Sequence, residues 1–274
     1  MIIDTHVHIG KVLKFSMPEE MVLDSMEKYN IDFSLVSNIE SAELDFKQKE
    51  LPKEKQIDQV TSLKKAIKFA RQNPKKIAIL PWVRPYFEKV SDELIKLIED
   101  NRDIIVGKKM HPYHSKVAVD DERMKPYIEI AKKFDLPVLL HTGGCEEAEP
   151  IHVWNAAKQN PEVKFIMGHM GLGTDNKEAI ELLGTLPNLY GDTAWVPMES
   201  TIAAIKKWGS KKMMFGSDNP IDGLDTYHNN PKGDINVYQA YFNQLEDIIG
   251  KEAYEDLMYK NAIEIFKLNI KFNS

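Results

Sequence analysis

The chain of 274 residues is 43% hydrophobic and 28% charged, which suits a soluble, enzyme-sized protein able to bury a sizeable core. Its formal net charge of −6 argues against a nucleic-acid partner, because a phosphate-binding face needs a basic excess, and clusters such as KQKELPKEK interleave bases with acids. A single cysteine, Cys145, excludes an internal disulfide framework, and the strand-sized apolar runs exclude a membrane helix of about 20 residues. These features predict a cytoplasmic protein without a secretory signal of the usual form, since strand-like sequence begins at Ile2. The expected partner is a small molecule, and a homo-oligomer is compatible with the sequence.

Taken in order, short β-type runs alternate with stretches of helical period: IIDTHV, DFSLVS, KIAILPWV, DIIVGKKM, PVLLHT, KFIMGH, NLYGDT and KMMFGS. About eight β-then-α units in a chain of this length predict a closed (β/α)8 TIM barrel, an α/β fold, as one domain over residues 1–274. In the first helical stretch Ser16 and Glu19 have capping-box spacing, Pro18 suits a first turn, and Val22, Met26 and Tyr29 share a face. Two connections are long: SNIESAELDFKQKELPKEKQID after the second strand and DNPIDGLDTYHNNPKGDIN after the eighth. In a barrel both emerge at the carboxyl face, as lids, specificity loops or tolerated insertions.

Side chains alternate along a strand, so Asp4, His6 and His8 are expected to point one way and Ile3, Thr5 and Val7 toward the helices. Alone, an H-x-H pair is weak evidence of a metal site. Three further strands end in ligand-type residues, however: His141 in PVLLHTGG, His169 in KFIMGHMG and Asp218 in KMMFGSDNP. In a parallel barrel these ends meet at one rim, and imidazoles with a carboxylate are donors that zinc and neighbouring divalent ions prefer. In DIIVGKKMHP, placing Ile104, Val106 and Met110 outward turns Lys109 and His111 inward and leaves Lys108 outside, snorkelling at the flank. Lys109 then binds an anionic substrate group, bridges two metals as an N-carboxylated lysine, or pairs with an acid such as Asp4.

THVH, the inward lysine, LLHTG, GHMG and FGSDNP together resemble the metal-dependent amidohydrolase superfamily, with KNAIEIFKL similar to a closing helix. The nearest likeness is to its amidohydrolase-related branch, which includes aminocarboxymuconate-semialdehyde decarboxylase. The resemblance implies that His6, His8, His141 and Asp218 hold a divalent metal, usually zinc, and that His169 is a general acid/base or a ligand to a second ion. Lys109 and His169 join the ligands if the site is binuclear; one ion is the favoured reading. Asp218 and His169 are therefore the expected catalytic residues. The favoured activity is hydrolysis of a C–N or C–O bond in a small anionic or cyclic substrate by metal-activated water. Non-oxidative decarboxylation of a small acid shares every ligand, and a non-catalytic metal-binding barrel is a third reading.

Lys109, His111 and Arg84, in PWVRPY, are the substrate-binding candidates, Arg84 as a bidentate partner of a carboxylate. Trp195 is a pocket wall or core packing, His114 and His228 are expected at the surface of loops, and His152 is expected to be structural. Cys145 has no identifiable activating neighbour.

Overall fold

Each of the eight apolar runs contains a strand in the computed structural model, which describes residues 1–13, 15–221 and 237–270. In chain order the strands are β1 (Ile3–Val12), β2 (Phe15–Met17), β3 (Phe33–Asn38), β4 (Ile77–Ile79), β5 (Lys108–Met110), β6 (Val138–Gly143), β7 (Phe165–Leu172), β8 (Leu189–Asp192) and β9 (Met213–Met214). β2 turns back antiparallel onto β1, and the other eight run parallel with helices between them. They form two ladders, β1-β3-β4 and β5-β6-β7-β8-β9. The junctions between ladders are isolated bridges, Ile79–Ile105 and Trp82–Lys109 on one side and Val7–Asn219 on the other. This is the (β/α)8 arrangement, with a ring that continuous ladders do not close.

Alternation along the strands sorts the core into two layers. Leu35, Ala78, Leu139, Ile166 and Met214 fill the inside together with Ala262, Ile265 and Phe266 of the closing helix Asn261–Phe266. Their strand neighbours Val36, Ile79, Leu140, Met167 and Met213 pack outward in the larger cluster that includes the helices. Ile3 joins the inner group rather than facing the helices, whereas Val7 faces them. A register shift between Asp4 and Val7 against β3 separates the two and breaks the simple alternation of β1.

The expected capping box does not form. Ser16 is drawn into β2, paired with Lys11, so Pro18 takes the N-cap position of the helix Glu19–Lys28 without a side-chain cap. Val22 and Met26 are buried as expected, and Tyr29 follows as the C-cap. Elsewhere the caps are regular: Asp58 accepts from the Thr61 N–H at 2.8 Å and Ser91 from the Leu94 N–H at 3.2 Å. Among the described residues no helix is long and apolar enough to cross a membrane.

Candidate metal centre and its cavity

His6 lies on β1 within the register shift and is fully buried. Its Nδ1 is 2.7 Å from Oδ2 of Asp192, the last residue of β8. An ionised carboxylate only accepts, so Nδ1 carries the proton and Nε2 presents a lone pair. Burial raises the Asp192 pKa to about 6, which leaves it ionised at neutral pH. His169 repeats the device, its Nδ1 donating to the Ala194 carbonyl oxygen at 3.1 Å. Asp192 Oδ1 accepts the main-chain N–H of His169 at 2.8 Å, so one carboxylate ties the His6 ring to the His169 backbone.

Asp218 completes the group. Its Oδ1 is 3.4 Å from His6 Nε2 and 3.0 Å from His8 Nε2, and its Oδ2 accepts from Trp195 Nε1 at 2.9 Å. Asp4 joins β1 to the segment carrying Asp218: it accepts from the Ser217 main-chain N–H at 3.0 Å and from the Ser217 hydroxyl. Gly216 permits that approach, since a Cβ there would lie 2.9 Å from His6 Cβ and 3.2 Å from Asp192 Oδ2. His169, Asp218 and Trp195 all have positive φ, at 69°, 63° and 60°. This uncommon backbone at the strand ends abandons regular alternation in the residues that gather here.

One donor atom from each of His6, His169 and Asp218 lies within 4.8 Å of the other two. Two imidazole nitrogens and a carboxylate oxygen converge here, and this donor set fits a divalent ion. The nearest cationic side chain is Lys109, fully buried, with Nζ 2.6 Å from His6 Nε2. Burial lowers the Lys109 pKa to about 8 against the opposing pull of Asp218 and Asp192. Burial likewise drives His6 well below its ordinary value and His169 to about 4. For Asp218 burial acts upward, but the hydrogen bond with His8 and the surrounding imidazoles outweigh it and hold the carboxyl below its usual range.

A cavity of about 550 Å3 opens above this group. His8, His111, His141 and Asp218 line its inner side; Phe15, Phe46, Tyr113, His114 and Trp195 contribute to its walls. His8 is oriented by Ser37, whose Oγ is 2.9 Å from Nδ1. His141 stands differently from the ligand role expected for it. Its Nε2 donates to the Gly143 carbonyl oxygen at 3.2 Å, and its ring stacks on His111 at 4.0 Å, which stacks in turn on Trp82 at 4.8 Å. It thus adjoins the three-atom group, 4.6 Å from the His169 ring, without joining it.

Several expectations need correction. Arg84 does not line the cavity: its guanidinium is buried against the Ile57 carbonyl, Gln56 Oε1 and Glu88, whose Oε1 is 3.1 Å from Nε. The i,i+4 spacing of Arg84 and Glu88 is the signal that reading passed over. Lys108 does not snorkel; it is fully buried, donating to the Tyr127 carbonyl oxygen at 3.1 Å, because helix Lys125–Phe134 covers that face. His114 is buried rather than at the surface, with Nδ1 2.8 Å from the Leu44 carbonyl oxygen. Lys109 pairs with His6, not Asp4. His152 bonds Asp120 on its helix flank at 2.8 Å, as a structural histidine would. Cys145 is a free thiol whose pKa burial raises, which is no nucleophile's setting. His228 lies outside the described residues. Asp192 was missed, although NLYGD ends in an acid just as the other rim strands end in ligands.

The family described as Amidohydrolase matches residues 3–268, nearly the whole chain. The protein belongs to the amidohydrolase family. No curated protein matches it. Among solved structures, this amidohydrolase is similar to 2,6-dihydroxybenzoate decarboxylase from Rhizobium, at 15% identity over 98% of this chain and 99% of that one, with a TM-score of 0.67. It is similar to 5-carboxyvanillate decarboxylase from Novosphingobium aromaticivorans, in a structure holding manganese and 3-methoxy-4-hydroxy-5-nitrobenzoic acid. That likeness has 11% identity over 98% of this chain and 97% of that one, and a TM-score of 0.71. A probable 2-pyrone-4,6-dicarboxylic acid hydrolase from Acinetobacter baumannii, with citric acid bound, matches at 13% identity over 97% and 99%, with a TM-score of 0.65. At these identities the likeness is one of fold.

Proposed function

We propose that this amidohydrolase-family protein is a metal-dependent, non-oxidative decarboxylase of a small carboxylic acid. The observation that carries the reading is the buried group of His6, His169 and Asp218 beneath an aromatic-walled cavity. The motifs do not separate the two reactions, which share every ligand; hydrolysis is the first expectation from the sequence, and the decarboxylases of similar fold support the other reading. His6, His169 and Asp218, with His8 and His141 beside them, would hold a divalent ion, which would supply Lewis-acid polarisation of substrate oxygens; zinc is our expectation from the donor types. Lys109, buried behind the cavity lining with Nζ 2.6 Å from His6 Nε2, places a cationic side chain next to this group.

In the reaction the bond to the carboxylate carbon breaks, carbon dioxide leaves, and the electron pair remains on the substrate carbon, which takes a proton. We assign that proton to Asp218, because His169 has its Nδ1–H on the Ala194 carbonyl oxygen and its other nitrogen in the metal-holding group. Asp218 Oδ1 and His8 Nε2, 3.0 Å apart, can share it, and Trp195 fixes the carboxylate that passes it on.

The test is incubation of metal-loaded protein with a panel of cyclic and aromatic acids, esters, lactones and amides. Carbon dioxide released stoichiometrically with the protonated product, stopped by chelator and restored by metal, is the expected result. Ring-opened or deacylated product without carbon dioxide would instead establish hydrolysis, the reading that the similar pyrone dicarboxylate hydrolase favours. Ligand binding without turnover of any member would favour a non-catalytic metal-binding barrel.

A further inference from the structure

The cavity is polar on its inner side and apolar elsewhere. His8, His141 and Asp218 line it from buried positions, whereas Phe15, Phe46, Leu172 and Ile221 line it while staying partly exposed. Phe46 is the most open of these, at 39% exposure. Single exposed apolar residues are common, but this one faces a cavity and sits on a pinned turn. Asp45 Oδ1 accepts the Lys47 and Lys49 main-chain N–H groups at 2.8 and 3.0 Å, and the Asp45 N–H donates to the Lys49 carbonyl oxygen at 2.8 Å. The Tyr113 hydroxyl holds the Phe46 carbonyl oxygen. The Phe46 ring meets Phe15 edge-on, centroids 5.3 Å apart, and His114 at 5.5 Å. A ligand that covers this surface gains its burial without having to order the loop. Charge points the same way. Among the described residues no lysine or arginine lines the cavity, and Asp218 is the only carboxylate that does. Arg84 is turned onto Glu88, Lys109 lies behind the lining beside His6, and Lys47 and Lys49 are exposed outside it. A carboxylate placed among these rings would lose water and meet no counter-charge.

We propose that the cavity selects an acid with a single anionic group and a rigid apolar extension, such as a second ring, that lies against Phe46 and Phe15. The anionic group goes to the histidine-lined inner side, and Phe46 is the residue that determines specificity for the rest of the molecule. A second carboxylate on the extension works against binding, because the wall offers rings where it needs a cation. The proposal rests on reading this cavity as the substrate site, and it adds the size and charge of the part of the acid that does not react.

Calorimetric binding to the metal-loaded protein tests it, using benzoate, 1- and 2-naphthoate, 3- and 4-phenylbenzoate, isophthalate and terephthalate as probes. At least one two-ring monoacid should bind about tenfold tighter than benzoate, and neither dicarboxylate should bind tighter than benzoate. Phe46→Ala, folded by circular dichroism, should reduce the two-ring preference to within about threefold. Phe46→Leu restores an apolar surface on the same turn and should bring most of the preference back. A wild-type protein that favours a dicarboxylate, ignores the second ring or binds none of the probes would overturn the selection. So would an alanine variant that keeps the preference, or a leucine variant no better than the alanine one. Carbon dioxide is followed separately. Two-ring preference without decarboxylation removes the proposed reaction and leaves the selection standing; decarboxylation without the preference removes the selection alone.

Discussion

The floor of the cavity and its outer wall are held by different means. At the floor, strand-end groups fix the rings: Asp192 holds His6 and the His169 backbone, Ala194 holds the His169 ring, and Trp195 holds Asp218. The wall is a junction of loops. The segment after β3 meets the turn after β5 through Tyr113 Oη–H to the Phe46 carbonyl at 2.8 Å and through the pairing of His114 with Leu44. A floor set by the sheet and a wall set by loops allow selectivity to change while the chemistry stays fixed.

The largest effect is expected at the floor. Asp218→Asn keeps the shape of a side chain that bonds Trp195 but removes the charge and the proton site. Turnover should fall about a thousandfold while the thermal midpoint moves little, measured by product release and by unfolding. Next comes Asp192→Asn, which touches no substrate. With the carboxylate gone, His6 loses the partner that fixes its tautomer, so affinity for the metal should fall roughly 10- to 100-fold in chelator competition. If both substitutions proved as mild as changes in the wall, the contrast between the two regions would disappear.

At the wall, a stability effect with a defined pH window is expected from Glu43. It is buried, with Oε1 accepting from the Tyr86 and Phe87 N–H groups at 3.0 and 2.7 Å and Oε2 without a hydrogen-bond partner among the described residues. Burial raises its pKa from 4.5 to about 8. Between those values the unfolded chain ionises while the folded one keeps its proton, so stability contributed here is full below pH 4.5 and is lost as pH rises toward 8. Glu43→Gln keeps the acceptor oxygen and cannot ionise. It should flatten that slope and gain on the order of 2 kcal/mol over wild type above pH 8 in denaturant titrations. The smallest effect is expected from Tyr113→Phe, which frees the Phe46 carbonyl: KM should rise roughly two- to fivefold with kcat unchanged, in steady-state kinetics.

The same division governs what the sequence conveyed. His6, His8, His169 and Asp218 were legible because strands of period two end at one rim in a parallel barrel. The convergence survives even though the register shift in β1 and the positive φ of His169 and Asp218 break the alternation used to anticipate it. Asp192 follows the same rule and was passed over because it acts on the His6 ring rather than facing the cavity. Arg84 and His114 were misplaced for a different reason. His114 is fixed by the distant Leu44 carbonyl, which no local spacing encodes, whereas Arg84 combines the distant Ile57 carbonyl with the i,i+4 partner Glu88 that the sequence does offer. Lys108 reads as exposed until a helix covers it. The capping box failed because hairpin pairing claimed Ser16 first.

Metal stoichiometry by elemental analysis of purified protein tests most directly whether His6 and Asp218 form a cation site. The wild-type chain should carry about one tightly held divalent ion, at most two, removable by chelator. His6→Ala and Asp218→Ala, each folded by circular dichroism, should lose most of it. Full metal occupancy in both variants would contradict the assignment.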